Sequence, residues 1–247
     1  MKKLVVCFVL LFNPSLYAQN YSEIGSWYFS ESIATIFPEI DDNHSVGTGD
    51  GWPNDLYVNH DVKTSAAVSV QTGFTWFNES KFLPFYSLGA SYTYAFPMKV
   101  NGTIFQYSLP EFENYQYHYE IHRQTLLGII KAELYRYHNL MPFLLVGLGV
   151  SANHIDKYQE TPLSGITPRF SPEFQDETTT HFSYALGAGL DYIALNNLWL
   201  SLGYNFGYYG PAQTDSGISS YSNERLRTQL TDNGIVFTIT YFLDKTA

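Results

Sequence analysis

Cysteine is almost missing from this 247-residue chain: the single one, Cys7, lies inside an apolar run near the N-terminus. The rest of the chain therefore has no disulfide and no thiol chemistry. Long hydrophobic runs are missing too. After the N-terminal run no stretch approaches 18 consecutive apolar residues, which excludes a membrane-spanning helix. Basic residues are scarce, with 13 Lys+Arg against 23 Asp+Glu and a formal charge of −10. Such an excess of negative charge repels phosphate and argues against nucleic acid as a partner.

Residues 1–18 read as a secretory signal: Lys2 and Lys3, the apolar run from Leu4 to Phe12, Asn13-Pro14, and a cut after Ala18. Cys7 follows Val6 inside that run, so it does not fit a lipid-attachment site. The mature part, 19–247, loses two lysines with the leader. Its basic count falls from 13 to 11, and its charge moves from −10 to −12.

What is plentiful is aromatic surface: 17% of the chain, with 21 Tyr and 18 Phe. Tyrosine in bulk suits the two edges of a membrane, where the ring prefers the apolar side and the hydroxyl the wet one. The stretch His181 to Tyr209 shows how the rest is organised. Phe182, Tyr184, Leu186, Ala188, Leu190 and Tyr192 alternate with Ser183, Ala185, Gly187, Gly189 and Asp191, the period of a strand. Leu198, Leu200, Leu202, Tyr204, Phe206 and Tyr208 repeat the pattern after Asn196-Asn197, with Trp199 the bulky exception. The second face is small and mildly polar, too poor in charge for a solvated surface, and each arm is near the ~9–11 residues that cross a bilayer as a tilted strand. The apolar face is therefore expected to meet lipid and the small polar face to line an interior.

The same alternation predicts strands over Ser65 to Phe77, Phe85 to Phe96, Tyr119 to Leu134, Pro142 to Asn153 and Gly234 to Leu243. The first strand, Trp27 to Phe37, has two registers. One points Glu31 at lipid; the other points Tyr28, Ala34 and Ile36 there and Glu31 inward. The second is preferred, because a charge on the lipid face is costly. Connections alternate between long and short, with long ones at Pro38 to Lys63, Pro97 to Tyr117, Asp156 to Thr180 and Gly210 to Leu230. The expected fold is all-β: an eight-stranded antiparallel up-and-down transmembrane β-barrel with four long outer loops and three short periplasmic turns.

With the signal, Pro142 to Gly149, Leu186 to Tyr192, Asn197 to Tyr204 and the final strand in view, the chain resembles the small eight-stranded outer-membrane barrels of Gram-negative bacteria. These are the OmpA-like transmembrane domains and the opacity-type porin family. The resemblance implies residence in the outer membrane among lipid and lipopolysaccharide, and delivery by the outer-membrane insertion machinery. It implies no cofactor and no enzymatic activity.

An eight-stranded interior is filled by side chains, so Glu31, Gln71, Lys131, Glu133, Asp191 and Asn205 are expected to form a buried polar network. The competing reading is a narrow porin-like path for small solutes. His118, Glu120 and His122 share one face, but His118 and His122 would stand about 13 Å apart at ~3.3 Å per residue, too far to share a metal. Asp41, Asp42, Asp50, Asp55 and Asp61 offer oxygen ligands without the spacing of a calcium loop. His181 and Ser183 loosely resemble the His-x-Ser-Asn pattern of barrel lipid A deacylases, with Tyr184 in place of the Asn. The long loops offer a surface for host or phage contacts.

Overall fold

A computed structural model describes residues 25–243 except 42, 50 and 171. The expected signal, with Cys7, lies outside the described residues. Ten strands follow in order: β1 (Gly25–Ile40), β2 (Asn43–Val46), β3 (Asp55–Val62), β4 (Ser65–Phe77) and β5 (Phe82–Phe105), then β6 (Glu113–Tyr135), β7 (Leu140–Pro162), β8 (Glu177–Leu195), β9 (Leu198–Gln213) and β10 (Arg227–Phe242). They form one antiparallel sheet in the order β2-β3-β5-β4-β1-β10-β9-β8-β7-β6. β5 also pairs with β6, which brings the run from β5 to β6 back upon itself.

The expectation of eight strands joined by plain loops is thus corrected to an all-β, barrel-like sheet of ten. The first long polar segment holds β2 and β3, and β3 is hydrogen-bonded to β5 from Leu56 opposite Phe105 to Val62 opposite Val100. Other supposed loops are partly strand as well. β5 continues to Phe105, β6 starts at Glu113 and β7 reaches Pro162.

Burial divides the strands by parity. Leu126, Ile130 and Leu134 on β6, Leu144, Val146, Leu148 and Val150 on β7, and Phe182, Leu186 and Leu190 on β8 are exposed, while Thr125, Ser151, Ser183 and Asp191 are buried. A continuous exposed belt of Leu, Val, Ile and Phe is tolerated against lipid and not against water. No helix among the described residues is long and apolar enough to cross a membrane; the strands make the crossing.

β1 takes the register the sequence argument set aside. Trp27, Ile33 and Phe37 are exposed, and Tyr28, Ser30, Ser32 and Ile36 are buried, so Glu31 points outward, paired with Val70 and Ile239 on the two neighbouring strands. Inside, Ser30 bonds Thr240 at 2.9 Å and Ser32 bonds Thr238 at 2.8 Å. Tyr28 needs the inner space as well: a Cβ on Gly89 would lie 2.4 Å from its hydroxyl. Several inner contacts outweigh one misplaced charge.

β5, β6 and β7 have 24, 23 and 23 residues. At ~3.3 Å per residue they extend roughly 75–80 Å, far more than a tilted crossing of an apolar band ~25 Å tall requires. Their upper parts, with β2 and β3, form a second region beyond the belt. Its inner side is apolar: Tyr57, Met98, Val100, Ile104, Tyr117, Tyr119, Ile121 and Ile155 belong to one buried cluster. At the opposite end, where residues 78–81, 136–139 and 196–197 make the short links, Tyr28, Phe85, Met141, Trp199 and Phe242 close the interior. Trp199, the exception in the alternation, is a member of this cluster.

Candidate functional site

Between the two apolar clusters the interior is polar. On β6 the inward positions descend through Arg123, Thr125, Leu127, Ile129, Lys131 and Glu133. Lys131 Nζ donates to Asp191 Oδ2 of β8 at 2.6 Å and stands 3.4 Å from Glu133 Oε1. Asp191 is 0% and Glu133 1% exposed. Two carboxylates this deep are tolerable only with a cation between them. Gln71 and Asn205 line the same cavity as Lys131 and Glu133, a space of about 50 Å³. The structure thus brings five of the six expected network residues together, directly or around one cavity. Glu31 is on the outer face instead.

A second buried pair was not anticipated. Arg123 Nη2 donates to Asp232 Oδ2 of β10 at 2.5 Å, and its guanidinium lies 3.4 Å from the centre of the Tyr209 ring. Both side chains border a neighbouring cavity of about 80 Å³. Arg123 shares the parity of Lys131 and Glu133, so the sequence did carry its signal. Asp232 stood between an assumed loop and an assumed strand.

The loop end is organised around Arg169, which lies between β7 and β8. Its Nε donates to Glu160 Oε2 at 2.6 Å, Nη1 to Asp55 Oδ2 at 2.7 Å and Nη2 to the Tyr57 hydroxyl at 3.0 Å. The Tyr221 hydroxyl donates to Asp55 Oδ2 at 3.0 Å, and Asp55 Oδ1 accepts the Tyr107 N–H at 3.0 Å. Tyr158 donates to Glu160. One guanidinium therefore ties together segments from all four long connections. Hydrogen bonds to the two carboxylates hold the Arg169 pKa above its ordinary value against the opposing effect of burial. Burial raises those of Tyr57 and Tyr158.

Above this cluster the surface is aromatic. The Trp52 ring is 5.5 Å from Tyr107, which is 6.0 Å from Phe112. Trp52 is 62% and Phe170 76% exposed.

The other candidates separate. His181 and Ser183 face the interior rather than lipid, since the outward positions of β8 are the even-numbered ones such as Phe182, Leu186 and Leu190. His181 Nε2 and Ser183 Oγ have no hydrogen-bond partner among the described residues, so no base and nucleophile are joined there. Of the acidic set, Asp55 serves Arg169, while Asp41 Oδ2 accepts the Gln229 N–H at 3.0 Å. Asp42, Asp50 and the side chain of Asp61 lie outside the described residues. His118 pairs with Gln159, whereas Glu120 and His122 meet Asp156 and His154 across the strand boundary.

No protein-family model matches the sequence. Comparison with curated protein sequences gives no match either. Solved structures do match: the outer membrane protein OprG from Pseudomonas aeruginosa, 13% identical, covers 90% of this chain and 98% of its own, with a TM-score of 0.50. The outer membrane protease OmpT from Escherichia coli, 9% identical, covers 88% and 97% with a TM-score of 0.48. Neisserial surface protein A, 10% identical, covers 87% and 96% with a TM-score of 0.42. At these identities the likeness concerns the fold alone. The resemblance to OmpA-like and opacity-type proteins is accordingly corrected to a fold of the bacterial outer-membrane kind, with ten strands and no assigned family.

Proposed function

We propose that this is a non-catalytic, surface-exposed protein of the bacterial outer membrane, set in lipid and lipopolysaccharide, whose loop end recognises a partner on a host or phage surface. One observation supports this most: the Arg169 cluster ties the long connections into a folded platform beneath exposed aromatic rings. Loops that only shield a barrel have no need of a buried cation linking Asp55, Glu160, Tyr57 and Tyr221. Exposed aromatic rings such as Trp52 and Phe112 on a rigid base are suited to tight contacts at little entropic cost. The final strand, ending in Tyr241 and Phe242, is the segment we assign to the insertion machinery.

Cells displaying the protein should bind host cells or adsorb phage, and W52A/F112A should reduce this at least tenfold while the loops stay protease-resistant. Equal binding by the double variant would remove the recognition reading. The narrow-channel alternative draws support from the two internal cavities, yet aromatic clusters stand at both ends of them. Purified protein in planar bilayers should give a flat baseline, with Lys131→Ala equally silent. Unitary conductance in either would reverse that choice.

A further inference from the structure

One row of polar residues stands on the outer face just beyond the apolar belt. Leu126 of β6 is paired with Val150 of β7 and marks the belt's upper edge; Gln124 with Ala152 comes next, then His122 with His154, then Glu120 with Asp156. Two histidines and two carboxylates thus occupy a square of cross-strand neighbours, where Cβ atoms lie about 4.5–5.5 Å apart. Spacing along β6 alone argued against a shared metal. Pairing with β7 supplies the missing ligands from the side.

His122 Nε2 stands 3.2 Å from Asp156 Oδ1, and His154 Nε2 stands 4.0 Å from Asp156 Oδ2. Donor atoms of Glu120, His122 and Asp156 all lie within 4.8 Å of one another. A tetrahedral ion with bonds of ~2.0–2.1 Å needs its donors roughly 3.3–3.5 Å apart. The donors of Glu120, His122 and Asp156 must therefore draw in from separations of up to 4.8 Å, and His154, which stands outside that group of three, must turn toward them to complete it. The remaining nitrogen of His154, Nδ1, is 2.9 Å from Thr178 Oγ1 of β8. Such a bond on the far side of an imidazole fixes the ring and presents the other nitrogen, as it does for histidines that hold metals. Glu120 is shared meanwhile: Lys157 Nζ donates to Oε2 at 2.7 Å and Lys99 Nζ is 3.6 Å from Oε1. Both lysine side chains are 61% exposed and can swing into water when a cation takes the carboxylate.

We propose that His122, Asp156, Glu120 and His154 form a binding site for a divalent transition metal of the zinc class on the outer rim of the sheet. Imidazole nitrogens beside carboxylates favour zinc, nickel or copper over magnesium and calcium, which take oxygen ligands. This site is independent of the recognition reading.

The test uses the full-length processed protein, purified without a polyhistidine tag in detergent, with β-sheet content checked by circular dichroism for every variant. Titration with Zn²⁺ should show one site per chain, and Co²⁺ should give the intense visible bands of a tetrahedral nitrogen and oxygen site. His122→Ala and Asp156→Asn should each weaken binding at least tenfold. Lys157→Ala should tighten it severalfold, because the nearer of the two cations competing for Glu120 is gone, and this variant leaves the ligands intact. A hundredfold excess of Mg²⁺ or Ca²⁺ should not displace zinc. Absence of stoichiometric binding, or equal affinity in wild type, His122→Ala and Asp156→Asn, would overturn the proposal. The square would then be an ordinary pair of histidine–carboxylate contacts.

Discussion

Below the rim the sheet is apolar outside and polar within; above it the same strands are reversed. On β6, Leu126, Ile130 and Leu134 face outward and Lys131 and Glu133 inward, yet some residues earlier Tyr117, Tyr119 and Ile121 are the inward ones, and Gln116, His118 and His122 are exposed or half-exposed. The solvent on the outer side decides the arrangement. Against lipid the hydrophobic side must face away from the interior, and polar groups left inside must pair with one another. Against water the usual inward core returns. Each region should therefore fail in its own way when its centre is removed.

The largest effect is expected at Lys131. Its loss leaves Asp191 and Glu133 facing each other almost without solvent, and breaking a buried ion pair from one side costs about 3–5 kcal/mol. Lys131→Ala should lower the unfolding free energy measured by urea titration in lipid vesicles by that amount, with loop-end protease resistance lost in the same transition. Arg169→Ala is expected to cost slightly less overall, because Arg169 and Glu160 retain some contact with water, although Asp55 does not. Here the loops should become protease-sensitive while the membrane part keeps its heat resistance in detergent. If Arg169→Ala unfolded the lower region as well, the two regions would be a single cooperative unit and the contrast drawn above would fall.

These two centres were unequally legible in the sequence. Lys131, Glu133 and Asp191 stood out because membrane alternation leaves few charged inward positions. Arg169 did not, since it sits in a segment without period, and of its partners only Glu160 is near it, while Asp55 and Tyr221 come from two other segments far away in the chain. Strand extensions were missed for a related reason. Register shifts between Ala95 and Met98 on β5, and between Asp156 and Gln159 on β7, reset the parity of those strands where the polarity also inverts. A search for one apolar face loses the strand there. β3, DLYVNHDV, was hidden by its turn-forming residues, although Tyr57 in its middle is fully buried.

Alkaline pH offers a more graded way to separate the regions. Burial raises the phenol pKa values of Tyr57 and Tyr119 in the loop end. Their folded-state values exceed the unfolded one, so the stabilising contribution is complete below about pH 10 and is lost as pH rises above it. Each such phenol should remove about 1.4 kcal/mol per pH unit beyond that point. Hydrogen exchange followed from pH 9 to 11, corrected for the intrinsic rate, should show the loop-end strands opening first. Tyr57→Phe should reduce the slope, and an unchanged slope would contradict the assignment.

The smallest effect, and the only gain, is expected at Glu31. It borders an outer cleft of about 400 Å³ among Ile33, Val70, Phe237 and Ile239, on the face that meets lipid. A basic residue at mid-membrane costs about 2–4 kcal/mol and an acidic one less, so Glu31→Leu should stabilise the protein by roughly 1–2 kcal/mol in vesicles, with Glu31→Gln between. In detergent micelles, where water reaches the belt more readily, the gain should shrink. A loss of stability in Glu31→Leu would mean that the carboxylate has a polar partner on that face, and that the outer surface of β1 does not meet hydrocarbon at Glu31.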